Sequence, residues 1–338
     1  MANKRNGSQS VKFENPPSII TAASIVGPKE GLGPLKLYFD EILDDEMWGE
    51  KSWEKAESKL VRETFSKILK KGGKSPKDID YIIAGDLLNQ CIAASYGIRD
   101  SEIPFFGVFG ACSTMAESMS IGAMLVDGGF ADNVVCITSS HFCSAEKQFR
   151  FPLELGTQRT PTSQSTVTGS GGVLLSSNCT GPYITHVTTG IIMDMGIKDA
   201  NNMGAAMAPA AVDTLLVHFR DTGFVPEDYD LIVTGDLGYV GKNICEELVL
   251  GQGYDMRDRY NDCGLMIYDR EQQDAHAGGS GCGCSATVLS GYIFEEMNKG
   301  NLNNVLFVAT GALFSPTSIQ QGESIPAIAH AVRIQKSL

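Results

Sequence analysis

One short segment occurs twice in this sequence, and the repeat constrains the fold more than any other feature. Residues 80–87 read DYIIAGDL and residues 230–237 read DLIVTGDL, so the two segments align without a gap. A second match follows in the same order, because ACS at 111–113 corresponds to GCS at 283–285, each opening a run with helical spacing. Two matches in one order predict an internal duplication.

Each copy of the repeat predicts a β/α unit. The helix of the first copy leads into an apolar run from Asn133 to Ser139, and that of the second into Asn304 to Thr310. Such runs are typical of strands buried on both faces, so we expect an α/β fold with mixed or parallel sheets. The turn-like stretch SSNCTGP predicts two halves, residues 1–180 and 181–338. A pocket between the halves, at the helix starts, is the expected ligand site.

The composition limits the partners of this chain. Its 338 residues carry a net charge of −13, which argues against nucleic acid or anionic lipid as the main partner. The nine cysteines are odd in number and scattered, as expected in a reducing compartment. The N-terminal stretch MANKRNGSQSVKFENPP lacks the apolar run of a signal peptide, and no stretch approaches the ~20 apolar residues of a membrane span. We therefore expect a soluble protein.

Cys112 lies where a mostly apolar run, Ile103 to Phe109, gives way to a small-residue turn and a helical pattern. The spacing predicts a strand, a tight turn and a helix, with the cysteine at the helix start. Backbone N–H groups at a helix N-terminus favour a thiolate, so Cys112 is a candidate nucleophile or the floor of an anion pocket. The alternative is a small buried side chain, because free cysteine is among the most buried residue types.

A duplicated β/α half with a cysteine opening a helix resembles the thiolase and ketoacyl-synthase superfamily. The markers are GACS at 110–113, TGSGGVLL at 168–175, GGSGCGCS at 278–285 and ATGALFSPT at 309–317. The resemblance covers nearly the whole chain. It implies a thiolase-like, five-layered αβαβα fold with two duplicated halves, and a homodimer as the usual assembly.

A narrower resemblance rests on more specific blocks. AGDLLNQ, FGACST, EKQFRFP, TVTGSG, NDCGLMIY, AGGSGC, ATGAL, and SIQQ followed by ESIP occur in this order. With this set the chain resembles the stage V sporulation AD family of spore-forming bacteria. The resemblance implies binding of dipicolinic acid (pyridine-2,6-dicarboxylate), free or as its calcium chelate, and support of its uptake into the developing spore. It also implies membrane proteins of the same stage V sporulation A operon as partners. The implied location is the cytoplasmic side of the inner membrane of the forespore or spore.

The proton-transfer groups of the superfamily are missing at the matching positions. Condensing enzymes of this kind pair the cysteine with a histidine and a second histidine or asparagine from the other half. Here Gly235 or Asp236 follows the matching strand, and Gly279 or Ser280 stands at the next motif. Among the five histidines, His141 is the better pocket candidate because it follows a strand, although a structural role is more common for such a residue. A scaffold reused for binding is therefore favoured over a working acyltransferase.

A dicarboxylate in a dry pocket needs charge-assisted or backbone hydrogen bonds. The segment EKQFR at 146–150 offers Lys147 and Arg150 as cations and Phe149 as a ring that could stack on a pyridine. The competing interpretation is a solvated pair of loop cations. The other candidate ligand-binding residues end strands, open helices or line glycine turns, and they are Cys112, Ser113, Ser139, His141, Thr168, Asp236, Ser280, Ser315 and Thr317.

Two acidic features leave alternatives open. Asp86 and Asp236 end the duplicated strands, where they could bind a hard cation such as Ca²⁺ or, as we prefer, cap the helices that follow. Asn261 and Asp262 lie in an insertion of the second half, where they form either a turn or a ligand-binding loop over the pocket. The CGC sequence at 282–284 lacks the further ligands of a zinc site, and neither a metal nor a cofactor is expected.

Three functions therefore remain open. The first is the binding of dipicolinic acid in support of its uptake. The second is an acyltransferase or condensing enzyme that uses Cys112 on an acyl thioester. The third is a structural adaptor with a vestigial pocket that docks on membrane partners. The missing bases argue against the enzyme, and only the family resemblance separates the binding protein from the adaptor.

Overall fold

A computed structural model describes residues 3–149, 159–177 and 180–338. Its strands are β1 (Arg5–Asn6), β2 (Ser10–Lys12), β3 (Ser18–Val26), β4 (Glu41–Ile42), β5 (Tyr81–Gly85), β6 (Phe105–Gly107), β7 (Asn133–Ser140), β8 (Ser165–Thr166), β9 (Gly169–Ser176), β10 (Tyr183–Thr189), β11 (Leu231–Thr234), β12 (Tyr260–Asp262), β13 (Gly279–Ser280), β14 (Asn304–Ala312) and β15 (Ala327–Gln335).

Its helices are α1 (Trp53–Gly72), α2 (Ile92–Ile98), α3 (Thr114–Asp127), α4 (Phe142–Phe149), α5 (Met203–Thr222), α6 (Gly238–Leu250), α7 (Cys263–Ile267), α8 (Cys282–Val288), α9 (Phe294–Lys299) and α10 (Pro316–Gln320). A π-helical stretch, Leu289–Ile293, joins α8 to α9. Within the described ranges, none of these helices has both the length and the apolar character that crossing a bilayer requires.

The duplication appears in the order of the strands. The first half runs β6-β5-β7-β9-β3 and the second runs β12-β11-β14-β15-β10. In both halves the first three strands of that order are parallel, and the fourth is antiparallel to its neighbours on both sides. The same topology therefore occurs twice, which confirms the duplicated mixed sheets. One residue pair, Ser18 and Tyr183, joins the two ladders at their edges.

The layers follow from what each helix covers. Helices α1 and α2 pack on the outer face of the first-half strands, and α5 packs with α6 on the outer face of the second-half strands. Helix α3 lies between the two sheets and contacts strands of both halves, and α8 lies beside it. A shared core of apolar side chains from both halves surrounds these two central helices. This is the expected αβαβα arrangement.

Local signals explain where the helices begin and end. Helix α1 begins after Ser52, whose side chain accepts a hydrogen bond from the backbone N–H of Lys55, and it ends at Gly73 with a left-handed φ of 61°. Helix α5 begins after Asn202, whose side chain accepts a hydrogen bond from Ala205 N–H, and Pro209 is its seventh residue. Proline therefore lies inside this helix and does not mark its first turn.

Two interpretations from the sequence need correction, and a third stays a prediction. Cys112 lies two residues before α3, whereas Cys284 is the third residue of α8, so the two cysteines do not occupy equivalent helical positions. The segment that carries Lys147 forms helix α4, not the loop considered from the sequence. The division into halves at residue 180 stays a prediction.

Candidate functional site

A tight loop before α3 holds Cys112. Ala111 has a left-handed φ of 51°. The Gly110 carbonyl accepts hydrogen bonds from the backbone N–H and the hydroxyl of Ser113, at 3.1 and 2.7 Å. Thr114 donates its hydroxyl to the Ala111 carbonyl, at 2.6 Å. These contacts fix the loop, and the Cys112 side chain lies almost wholly buried within it.

Asp236, directly after β11, contacts Cys112 from the second half. One carboxylate oxygen, Oδ1, accepts the Thr310 hydroxyl at 2.8 Å. The other, Oδ2, accepts the Ser280 hydroxyl and the Gly281 N–H, each at 3.0 Å. The Cys112 thiol lies beside this carboxylate and interacts with it electrostatically. Asp236 therefore occupies the position after the repeated strand where the superfamily resemblance calls for a histidine.

Burial and charge together keep the Cys112 thiol protonated. Burial raises the pKa of this thiol well above its ordinary value, and the Asp236 carboxylate raises it further. Burial also raises the pKa of Asp236, while its donors act in the opposite direction. The expectation that a helix start makes Cys112 a thiolate is therefore wrong, because desolvation and the adjacent carboxylate outweigh the backbone N–H groups.

A cavity of about 270 Å³ lies over the Cys112 loop, between the two halves. Its size is near the lower end of small-molecule sites. Most of its walls are apolar, with a few polar groups between them, and its lining residues are Leu87, Phe109, Ala111, Cys112, Ala145, Glu146, Phe149, Gln164, Thr166, Ala200, Asn201, Met203, Ser280, Ala312, Phe314 and Ile319.

Two phenyl rings form one part of the cavity wall. Phe149 at the end of α4 and Phe314 after β14 have ring centroids 5.4 Å apart, with the ring planes inclined by 54°. One ring comes from each half of the duplication. The sequence identified Phe149 as a stacking candidate but did not identify Phe314.

Arg159 supplies a cation beside the cavity. Its guanidinium pairs with the Glu146 carboxylate, with N and O atoms 3.0 Å apart, and donates to the Gln164 carbonyl at 3.1 Å. Both of these residues line the cavity. The guanidinium also lies 4.8 Å from the centre of the Phe142 ring, and its side chain is only 16% exposed. A guanidinium held in this way can present parallel N–H groups to a carboxylate.

The site residues predicted from the sequence differ in whether they line the cavity. Cys112 and Ser280 line the cavity, and Asp236 contacts both. Four others are buried nearby but do not belong to the lining: Ser113, Ser139, His141 and Thr168. Their polar groups bond to the protein itself: the Ser113 hydroxyl to the Gly110 carbonyl, Ser139 to Glu57, His141 to the Glu46 carbonyl and Thr168 to the Phe142 N–H.

Four further predicted residues lie outside the cavity lining. Asn261 and Asp262 end strand β12, so neither the turn nor the loop over the pocket is present. Asp262 accepts hydrogen bonds from backbone N–H groups at the starts of α6 and α7. Ser315 caps α10, and Thr317 is exposed on that helix. The predicted Arg150 lies outside the described residues.

The two acids that end the repeated strands act differently. Asp86 accepts hydrogen bonds from Leu88 N–H and Ala94 N–H, both at 2.8 Å, so it caps α2 as preferred. Asp236 does not cap the helix that follows its strand, because Asp262 takes that role. In the described part of the chain, no group of three or more His, Cys, Asp or Glu side chains is arranged to hold a metal ion.

Several residues in or beside the cavity were not predicted from the sequence. Arg159 lies beyond the recognisable block EKQFRFP, and Asn201 with Met203 lies where the second half begins its first helix. No local pattern marks them. Asn201 and Met203 reach the cavity through the packing of one half on the other, whereas Arg159 lies beside it through contacts with Glu146 and Gln164 of its own half. The exception is Phe314, which lies within the block ATGALFSPT and could have been proposed with it.

Comparison with known proteins identifies the family. The model of the family described as Stage V sporulation protein AD matches residues 7–335. The chain belongs to this sporulation family. Stage V sporulation protein AD of Bacillus subtilis (strain 168) is 47% identical over 334 residues, which cover 99% of this chain and 98% of that protein. The family membership confirms the narrower resemblance and gives the chain a role in sporulation.

Solved structures confirm the fold class. A variant of OleA from Xanthomonas campestris aligns with a TM-score of 0.62 at 14% identity, covering 96% of this chain and 99% of that one. The 3-oxoacyl-[acyl-carrier-protein] synthase III of Aquifex aeolicus VF5 aligns with a TM-score of 0.55 at 13% identity, covering 94% and 99%. At such identities the likeness establishes a shared fold and nothing of the chemistry.

Proposed function

We propose that this sporulation protein binds dipicolinic acid in the cavity over Cys112 and supports uptake of the acid into the developing spore. The observation that carries the proposal is the wall of that cavity, which contains two phenyl rings and the Glu146 carboxylate that a neighbouring guanidinium pairs with. An aromatic ring that bears carboxylates needs two kinds of contact, with rings and with a cation.

The rings of Phe149 and Phe314 are placed to hold the pyridine. The two rings contact each other and both line the cavity, and offset or edge-on contacts of either ring with a third ring are favourable. The apolar side chains of Leu87 and Met203 complete the dry wall around it. Low dielectric in this space strengthens every hydrogen bond to the carboxylates.

Arg159 is the cation that meets a ligand carboxylate in this proposal. The chain carries a net charge of −13, so an anionic ligand depends on local donors. Arg159 already pairs with the Glu146 carboxylate, and a ligand carboxylate would take over part of that contact. When dipicolinate arrives as its calcium chelate, Glu146 offers an oxygen ligand of the kind that Ca²⁺ prefers.

Isothermal titration calorimetry with dipicolinic acid, with and without calcium, tests this proposal. We expect saturable binding to the wild type and a roughly 10- to 100-fold weaker affinity for Arg159→Gln, because a hydrogen bond to a charged group contributes about 1.5–3 kcal/mol. Lys147→Gln is the matched control, since this lysine of α4 pairs with Glu54 at 2.6 Å and is half exposed. Equal losses in both variants would refute the role of Arg159, and absence of binding to the wild type would refute the function.

Acyl transfer from a thioester is the second candidate function. One observation favours it, since Cys112 lines the cavity. Against it stands the protonated state of that thiol beside Asp236, since attack on a thioester requires a thiolate. Incubation with a radiolabelled acyl thioester, followed by peptide mapping, separates the candidates. Label retained on Cys112, with turnover, would replace the binding proposal.

We infer that membrane proteins of the same operon anchor this chain at the forespore membrane, on its cytoplasmic side, and that the chain forms a homodimer. Strand β6 ends the first-half ladder, and Phe106 on it is 47% exposed, as is Phe109 close by at 48%. An unpaired strand edge with exposed rings favours a protein contact. Light scattering on the wild type and on Phe106→Lys tests the dimer, and fractionation of sporulating cells tests the location.

A further inference from the structure

Two carboxylates are buried beneath the cavity wall, at Glu57 of α1 and Asp86 after β5. Both side chains have no solvent exposure. Among the described residues, neither forms an ion pair with a lysine, arginine or histidine. Two unpaired carboxylates cannot both be charged in such a space without a large desolvation cost, so the pair retains a proton.

The hydrogen-bond partners show which acid holds that proton. Asp86 accepts two backbone N–H groups at 2.8 Å, and such donors favour the charged carboxylate. Within the described part of the chain, Glu57 forms hydrogen bonds only with hydroxyls, those of Ser139 at 3.2 Å and Ser144 at 2.6 Å. Hydroxyls can accept as well as donate, so this environment suits a protonated glutamic acid. Burial and the Asp86 charge both raise the pKa of Glu57.

A count of hydrogens at Ser144 supports the same assignment. The single hydroxyl hydrogen of Ser144 has two acceptors within reach, Glu57 Oε2 at 2.6 Å and the His141 carbonyl at 3.1 Å. If Ser144 donates to the carbonyl, the short contact with Glu57 needs a hydrogen from the glutamic acid. A proton on Glu57 therefore satisfies both contacts at once.

We propose that the proton on the Glu57–Asp86 pair is linked to occupancy of the cavity, so that the site binds its dicarboxylate when the pair is singly protonated and releases it when the pair ionises fully. This inference rests on the proposed function. It makes Glu57 a positioning residue, since its place beneath the wall lets it act through Ser144 and α4 without touching the ligand.

The path from Glu57 to the cavity is short. Ser144 precedes Ala145 and Glu146 on α4, both of which line the cavity. Ionised Glu57 would draw the Ser144 hydroxyl to itself, and the His141 carbonyl would lose this donor at the first turn of α4. The cavity wall would shift, and a second negative charge would stand behind it. Both effects disfavour an anionic ligand.

Other titratable groups face this pair, and their effects on a pH profile must be distinguished from those of the pair. Glu54 lies one turn earlier on α1 and pairs with Lys147 of α4. Cys282 of α8 donates its thiol to the Ser139 carbonyl, and burial raises the pKa of that thiol well above its ordinary value. His141 has a pKa below its usual 6.5 because of burial, so it stays neutral above that pH. Burial raises the pKa of Glu30 and of Asp262 to about 7, so both titrate in the same range, and the part of a pH profile that Glu57→Gln abolishes is the part that reports on the acid pair.

The test is calorimetry with dipicolinic acid between about pH 6.5 and about pH 8.5, in buffers of different ionisation enthalpy. For the wild type we expect the affinity to fall by up to about tenfold per pH unit, with proton uptake on binding. Glu57→Gln should bind with the low-pH affinity at every pH and take up no proton. Glu54→Gln, the control, should keep the wild-type slope.

Each outcome decides between the two claims. Binding without a pH slope, or a slope that persists in Glu57→Gln, overturns the inference and leaves the proposed function intact. Absence of binding at every pH overturns the proposed function. Infrared spectroscopy of wild-type protein with carbon-13-labelled glutamate needs neither ligand nor variant. A protonated carboxylic acid band at neutral pH is expected, and its absence overturns the inference.

Discussion

Replacing Gly311 with alanine should damage the candidate site from the second half. Gly311 lies in β14, where the strand crosses the Cys112 loop. A Cβ at this position would stand 2.1 Å from the Gly110 carbonyl oxygen, 3.1 Å from Ser113 N and 3.3 Å from Cys112 N. All three contacts are backbone atoms, so no flexible side chain can move aside.

The cost can be worked from these distances. An ordinary contact between Cβ and a carbonyl oxygen is about 3.3 Å, so strand and loop must separate by roughly 1 Å, and overpacking of this kind costs about 1–3 kcal/mol. For a chain of this size we expect the melting temperature to fall by about 1–4 °C. The Gly110 carbonyl also holds Ser113, so its displacement should tilt the cavity floor and weaken dipicolinate binding.

Differential scanning fluorimetry and calorimetric titration of the same protein preparation measure both effects. Gly107→Ala is the matched control, since a Cβ there would meet nothing closer than the Phe105 ring at 3.4 Å. We expect the control to keep the melting temperature of the wild type. If Gly311→Ala behaves like the control, the close crossing of strand and loop does not hold the site, and this reasoning is refuted.

Two further predictions concern the buried acids. Burial raises the pKa of both Glu30 and Asp262 to about 7, so the folded state holds protons that the unfolded state has lost, and stability should decline between about pH 6.5 and about pH 8. His330, with its pKa lowered to about 4, acts in the opposite sense only below about pH 6.5, so rising stability in denaturant titrations above that pH would contradict the prediction. Asp236→Asn should speed alkylation of Cys112 by iodoacetamide, measured by mass spectrometry, because the carboxylate that raises the thiol pKa is gone; an unchanged rate would show that burial alone protects the thiol.

The repeated segment made the fold predictable. DYIIAGDL and DLIVTGDL are both apolar strands followed by the same Gly-Asp-Leu sequence, which predicts the same topology in both halves. The observed strand orders agree with this prediction. The candidate site could be predicted less completely from the sequence. Cys112 and Ser280 were found through their motifs, but Asn201 and Met203 line the cavity only because the two halves pack together. Arg159 lies beside the cavity through tertiary contacts within its own half. Periodicity reports which face of an element is buried, and it carries no information on which distant side chains share a cavity.

Asp236 is the residue on which our proposal of binding in place of acyl transfer most depends. A base at this position must take and return a proton, but this carboxylate accepts hydrogen bonds from Ser280, Gly281 and Thr310, which favour its charged form. The Cys112 thiol lies beside it, and a thiolate there would place two negative charges in one buried space. The same bonds hold Ser280 and Thr310 in fixed positions. A cavity of fixed shape beside a protonated cysteine suits the binding that we propose, whereas acyl transfer from a thioester requires a thiolate.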